Sequence, residues 1–130
     1  MARVTTYQDS RPFVVQPNTL VYDTGRDIDW ANTDGETTIP AGTAVVIIVA
    51  SGKICPWATK PGSEAAAGIL AAGADQNDRT GTPGHAMIIG GNLFENLLSS
   101  YEETDWADIK TSLNLLGTWV WQTYADSRAT

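Results

Sequence analysis

Residues 62–78, reading GSEAAAGILAAGADQND, constrain this chain more than any other stretch. Ala65, Ala66, Ala67, Ile69, Leu70, Ala71, Ala72 and Ala74 carry no polar group and can only pack. Alanine favours helix, but Gly62, Gly68 and Gly73 interrupt the run, and each glycine inside a helix costs roughly 1 kcal/mol. The run therefore reads as extended or tightly turned backbone lying close against its neighbours. Such small side chains suit two places, an ordinary core or a contact between subunits, and Ala66 and Ala67 are candidates for the second.

The stretch before it supplies a partner. Residues 43–50, TAVVIIVA, form a continuous run rich in β-branched side chains, bounded by Pro40 and Gly42 on one side and Ser51 and Gly52 on the other. That is the pattern of a strand buried on both faces, at the centre of a core. Residues 53–57 read as the returning arm of a hairpin, cut short by Pro56, while residues 68–74 and 85–89 read as further short strands.

A helix follows. Ser100 and Glu103 have the spacing of a capping box, in which hydroxyl and carboxylate satisfy the free amides of a helix start. Trp106, Ile109, Leu113 and Leu116 then recur on one helical face, and Gly117 supplies a stop. Beyond it TWVWQTY alternates bulky and polar groups as a closing strand does, placing Trp119 and Trp121 on one side, under the sheet or as anchors of a subunit interface. The fold class expected is α+β, mainly β: a small domain of short strands with one main C-terminal helix and an extended N-terminal arm.

The N-terminal part has strand-forming pieces without a neighbour to pair with. Val4, Thr5, Thr6 and Tyr7, then Phe13, Val14 and Val15, favour extended backbone, and Pro12 and Pro17 oppose helix. A segment of this kind gains its hydrogen bonds from the sheet edge of another chain. The organisation expected is an arm over residues 1–20, an acidic loop over 21–36, a folded domain over 37–126 and a tail over 127–130.

Charge and chemistry narrow the function. Fifteen acidic against eight basic residues give a net charge of −7, and the Lys and Arg residues are scattered singly, which speaks against a nucleic-acid groove. The N-terminus lacks the apolar core of a signal peptide and no run approaches the roughly 20 apolar residues that cross a bilayer, so synthesis in a cytoplasm with no membrane partner is expected. Cys55 is the lone cysteine and His85 the lone histidine, on separate segments without a surrounding motif. No nucleophile elbow, phosphate loop or dinucleotide fingerprint occurs. A non-enzymatic protein without metal or cofactor is the expectation. Asp27, Asp29, Asp34 and Glu36 could offer oxygen ligands to calcium, and Trp30, Trp57, Trp106, Trp119 and Trp121 could offer stacking faces to a sugar, so a carbohydrate-binding or calcium-dependent β-rich module is the alternative.

Taken in order, the strand closed by Ala50, Ser51, Gly52 and Lys53, the Trp57 segment leading to Pro61 and Gly62, the run Ala67-Gly68-Ile69-Leu70 with Ala74-Asp75-Gln76, the pair Gly90-Gly91 and the acid-rich helix start resemble the head decoration proteins of tailed bacteriophages, the lambda type. The resemblance covers roughly residues 44–124. It implies a virion protein on the outer surface of the expanded capsid that associates as a homotrimer. It further implies that the N-terminal arm, Val4 to Tyr7 with Phe13, Val14 and Val15, engages the major capsid protein and that the head is thereby stabilised against its packaged DNA.

Overall fold

The structure, a computed structural model, describes residues 11–77 and 84–125. Its strands are β1 (Val21–Arg26), β2 (Thr38–Ile39), β3 (Ala44–Ile47), β4 (Ile54–Pro56), β5 (Ala66–Leu70), β6 (Ala74–Asp75), β7 (His85–Phe94) and β8 (Trp119–Gln122). One α-helix among the described residues, α1 (Trp106–Leu116), precedes β8. The fold is mainly β with one main helix, the class that the alternation of short apolar runs and turns implies.

The apolar run of residues 43–50 is strand only over β3, fully buried at Ala44, Val45 and Val46 with β4 on one side and β5 on the other; its last residues turn into the β3-β4 hairpin instead, which leaves Val49 90% exposed. The order across the sheet is β1-β7-β5-β3-β4, all antiparallel, and β8 lies parallel to β7. The sheet curls far enough to meet itself. Residues 27–29, the continuation of β1, pair with β4: the Asp29 N–H donates to the Ile54 carbonyl at 2.8 Å, and the Ile54 N–H to the Asp27 carbonyl at 2.8 Å. Ile28, Val45, Ile54, Leu70 and Met87, one from each wall, fill the inside, and Ile39 and Ala74 of the β2-β6 ribbon join them. The outer face of β5 and β7 is covered by Trp106, Ile109 and Leu113 of α1, with Phe13 and Leu98. Burying each such side chain stabilises the fold by roughly 1.5–3 kcal/mol.

Gly68 shows why the small-residue run must be small. A Cβ there would sit 2.7 Å from the Ile88 carbonyl oxygen, so the alanine and glycine backbone of β5 is strand core rather than helix. The expected strand over residues 68–74 is two strands, β5 and β6, broken at residues 71–73.

Several expectations need correction. The strand expected over residues 85–89 runs on to Phe94, because its expected end is a bulge at Ile89, beside Gly90: Val21 pairs with Gly90 but Tyr22 with Ile88. The extra residue explains how Ile88 and Leu93, an odd number apart, face the same cluster. No capping box forms at Ser100. Residues Ser99–Glu102 make a short 3-10 turn, α1 begins at Trp106, and the Ser100 hydroxyl accepts the Ala44 N–H at 2.7 Å. The demand of β3 for an acceptor outweighs the local cap. Leu116 is 65% exposed, since the last turn of α1 projects beyond the packed face. Gly117 ends the helix in extended backbone, φ −149°, not in a left-handed cap; a Cβ on it would collide with the Ile89 carbonyl oxygen.

Candidate functional site

The expected attachment device includes Phe13, Val14 and Val15 as its second group of strand-forming residues, and these have a partner within their own chain. Alternate residues of β7 point their backbone groups to opposite sides. Gly91 donates to the Thr118 carbonyl beside β8, while Asn92 and Phe94 face residues 13–15: the Val15 N–H donates to Asn92 at 3.1 Å and the Phe94 N–H to Phe13 at 2.8 Å. Phe13 is 2% exposed in the helix-side core, and Val14 bridges Leu93. Arg11 closes the approach, donating to the Ala71 carbonyl at 3.1 Å and to the Tyr22 hydroxyl at 2.8 Å. Two expectations change accordingly. Phe13, Val14 and Val15 belong to the body and not to an unpaired arm, and the folded unit begins well before residue 37, because β1 pairs with β7 and Ile28 is buried. β7 is central and long, and sequence distance hid that pairing. Val4, Thr5, Thr6 and Tyr7 lie outside the described residues, as does the tail of residues 127–130.

The candidate interface residues divide. Ala66 has no exposed surface and meets only its own chain; Ala67 is half-buried against the inner cluster. Trp119 and Trp121 stack on each other with centroids 4.9 Å apart, and both lean on α1, their indole N–H groups donating to the Leu113 carbonyl at 2.9 Å and to Asn114 Oδ1 at 2.8 Å. Trp106 meets Trp121 edge-on at 5.7 Å. Lys110, 2.7 Å from Glu95 Oε2, lies 6.0 Å from the Trp121 ring. The tryptophan pair is thus half-buried, with part of its surface outward. The apolar side chains most open to solvent are elsewhere: Val49 at the tip of the β3-β4 hairpin, Leu115 and Leu116 at the end of α1, and Val21 and Val120 on strands flanking β7. Sequence reasoning placed Leu116 on the packed face of the helix and Val49 in a strand buried on both faces, and it singled out none of the others as exposed. Only the abrupt end of the helix at Gly117 hinted that its last turn overhangs.

The groups with chemical potential do not converge. Ile54 and Met87 line the inside, so the alternation of β4 and β7 turns Cys55 and His85 to opposite faces of the sheet. Cys55 has no exposed surface; burial first, then the carboxylates of Asp29 and Glu64, pushes its thiol up to about 11, which keeps it neutral. Asp29 turns its carboxylate to the Ala31 N–H at 3.1 Å and the Asn32 amide at 2.9 Å, capping a 3-10 turn, while Asp27, Asp34 and Glu36 stand in solvent. Among the described residues no three His, Cys, Asp or Glu side chains gather closely enough to hold a metal ion. Trp30 packs on the inner cluster and Trp57 holds Lys60 Nζ 3.9 Å from its ring centre.

Two open cavities among the described residues are shallow and polar. One of about 370 Å³ lies between the end of β1 and the β3-β4 hairpin, crossed by Arg26, which reaches Asp23 at 3.0 Å and the Gly52 carbonyl at 3.1 Å. Arg26 is there a strut. Among the described residues no helix is long and apolar enough to cross a membrane. No known family model and no curated protein matches this chain.

Proposed function

We propose that this chain is a structural binding protein of the tailed-phage head-decoration type, attaching as a trimer to the outer surface of an expanded capsid and catalysing no reaction. One observation supports the reading beyond the sequence resemblance: Phe13, locked in the core at 2% exposure, gives a fixed anchor to any contact that the preceding residues make with a capsid. An anchored tether transmits load to the domain, whereas a tether joined through a slack linker does not. The exposed Val49, Leu115, Leu116 and Val120 give the domain further apolar surface for neighbours.

The mechanism is linkage. A ligand that binds only the expanded lattice stabilises that lattice by mass action, and three tethers on one trimer add avidity. Each tether pays an ordering cost of roughly 1–2 kcal/mol per backbone residue, recovered through ladder bonds and apolar contacts with the major capsid protein. The acidic surface, at net charge −7, suits the outside of a particle, away from packaged DNA.

The test is decoration of undecorated expanded heads of the parent phage by the full chain and by a variant lacking residues 2–10, which keeps Arg11 and the Phe13 anchor. The full chain is expected to appear at threefold positions in a particle map, and the shortened chain to fold normally without binding. Full occupancy by the shortened chain, or single copies and dimers at twofold positions, refutes the proposal.

A further inference from the structure

We propose that Asp34 is a site of spontaneous backbone modification, converting to isoaspartate through a cyclic imide formed with Gly35. Asp34 is the one residue other than glycine with positive φ among the described residues, at 55°, and Gly35 follows at 79°. The Glu36 N–H donates to the Thr33 carbonyl at 3.0 Å, so the two residues form the tip of a tight turn in which both central positions are left-handed. Both are exposed. The turn is held from below and not at its tip: Thr33 is 2% exposed with its hydroxyl 2.7 Å from the Glu36 carbonyl oxygen, whereas the Asp34 carboxylate and the Gly35 N–H make no hydrogen bond among the described residues.

The chemistry requires those features together. The Gly35 nitrogen attacks Cγ of Asp34, a C–N bond forms, and the carboxyl oxygen leaves as water to give a five-membered imide. Water then adds to either carbonyl. Opening at one restores aspartate; opening at the other leaves the chain running through the side-chain carbon as isoaspartate, with no net change in composition and no oxidant or reductant needed. Glycine at the attacking position removes the side chain that would obstruct approach. The other described aspartates lack one condition or another. Asp23 pairs with Arg26, Asp29 caps its turn, and Asp75 accepts the Asn77 N–H at 2.9 Å. Asp27, Asp105 and Asp108 precede Ile28, Trp106 and Ile109, whose bulk crowds the amide. Isoaspartate adds one carbon to the backbone between Thr33 and Gly35, which is incompatible with the short Thr33 to Glu36 bond, so the modification opens the turn above the buried Thr33. This chemistry is independent of what the protein binds.

The experiment ages the full-length native protein in mildly acidic buffer and detects isoaspartate by enzymatic methyl transfer from S-adenosylmethionine, with peptide mapping to locate it. Parallel samples are Asp34→Glu, whose longer side chain cannot close the five-membered ring, Asp34→Asn, and wild type held unfolded in urea. The expected result is isoaspartate at position 34 in native wild type, loss of the signal in Asp34→Glu, and faster accumulation in Asp34→Asn when that variant is aged at mildly alkaline pH, where ionisation of the attacking amide governs ring closure. Product that appears only in urea shows that the turn protects the bond and overturns the proposal. So does a signal that survives Asp34→Glu, or its absence from native and unfolded samples alike.

Discussion

Replacing Ser100 by alanine tests whether the sheet or the helix owns that hydroxyl. Ser100 is 1% exposed and Ala44 has no exposed surface, and the Ala44 N–H donates to Ser100 Oγ at 2.7 Å. Removing the oxygen leaves a buried backbone donor without an acceptor, at a cost of about 1–3 kcal/mol. With an m-value near the middle of the range for small domains, the urea midpoint falls by about 1 M. Loss of a helix cap alone costs about 0.5–2 kcal/mol, so the size of the effect does not separate the two readings. Glu103 separates them. A capping carboxylate is held in its charged form, whereas here one carboxyl oxygen of Glu103 is buried without a hydrogen-bond partner; burial first, and then Asp105, raises its pKa above the ordinary 4.5. A raised pKa means that the folded state holds its proton more tightly than the unfolded chain. The resulting stabilisation is complete below the ordinary value and is lost as pH rises through the folded-state value. The stability of wild type minus that of Glu103→Gln, from urea titrations, is therefore expected to fall between acid pH and neutrality. If that difference rises with pH, or if Ser100→Ala lies within about 0.5 kcal/mol of wild type, the assignment of the hydroxyl to β3 is wrong.

Three further outcomes follow from the packing. Phe13→Ala should cost about 3–5 kcal/mol in chemical denaturation, since the ring is 2% exposed in the core; an unchanged midpoint means that residue 13 belongs to a free arm after all. Gly117→Ala should destabilise by roughly 1–3 kcal/mol or more through the collision with the Ile89 carbonyl, although its φ of −149° suits alanine, and thermal melting at or above the wild-type temperature would refute the close approach. Cys55, fully buried with its thiol raised to about 11, should resist alkylation in the native protein at mildly alkaline pH and react on unfolding; rapid native labelling would contradict its placement.

What the sequence made legible was local. The β-branched run of residues 43–50 pointed to β3, the glycine spacing of residues 62–78 ruled out helix there, and the period of Trp106, Ile109 and Leu113 marked the buried face of α1. What it concealed was set by partners far along the chain. Ser100 matches a capping motif, yet its hydroxyl serves an amide fifty-six positions earlier. Phe13, Val14 and Val15 looked partnerless because β7 comes so much later, and Gly90 and Gly91 looked like an end because glycines beside a bulge read like those of a turn. The candidate attachment surface was less legible still. Exposure of Leu115 and Leu116 depends on where the sheet beneath them stops, and no periodicity records that.

The position of β7 between β1 and β5 also governs the order in which the chain can acquire its shape. As the polypeptide leaves the ribosome, β3, β4 and β5 can assemble as neighbours, but Tyr22 must wait for Ile88, and Val14 for Leu93. Until then the first strand has an open flank, and so has β5. Closing such long loops is slow compared with forming a local hairpin. A nascent or truncated chain ending before Phe94 would expose two unsatisfied sheet edges at once, the condition under which β-rich chains stick to one another. Completion of β7, more than any local folding step, is then the event that commits this chain to a single fold.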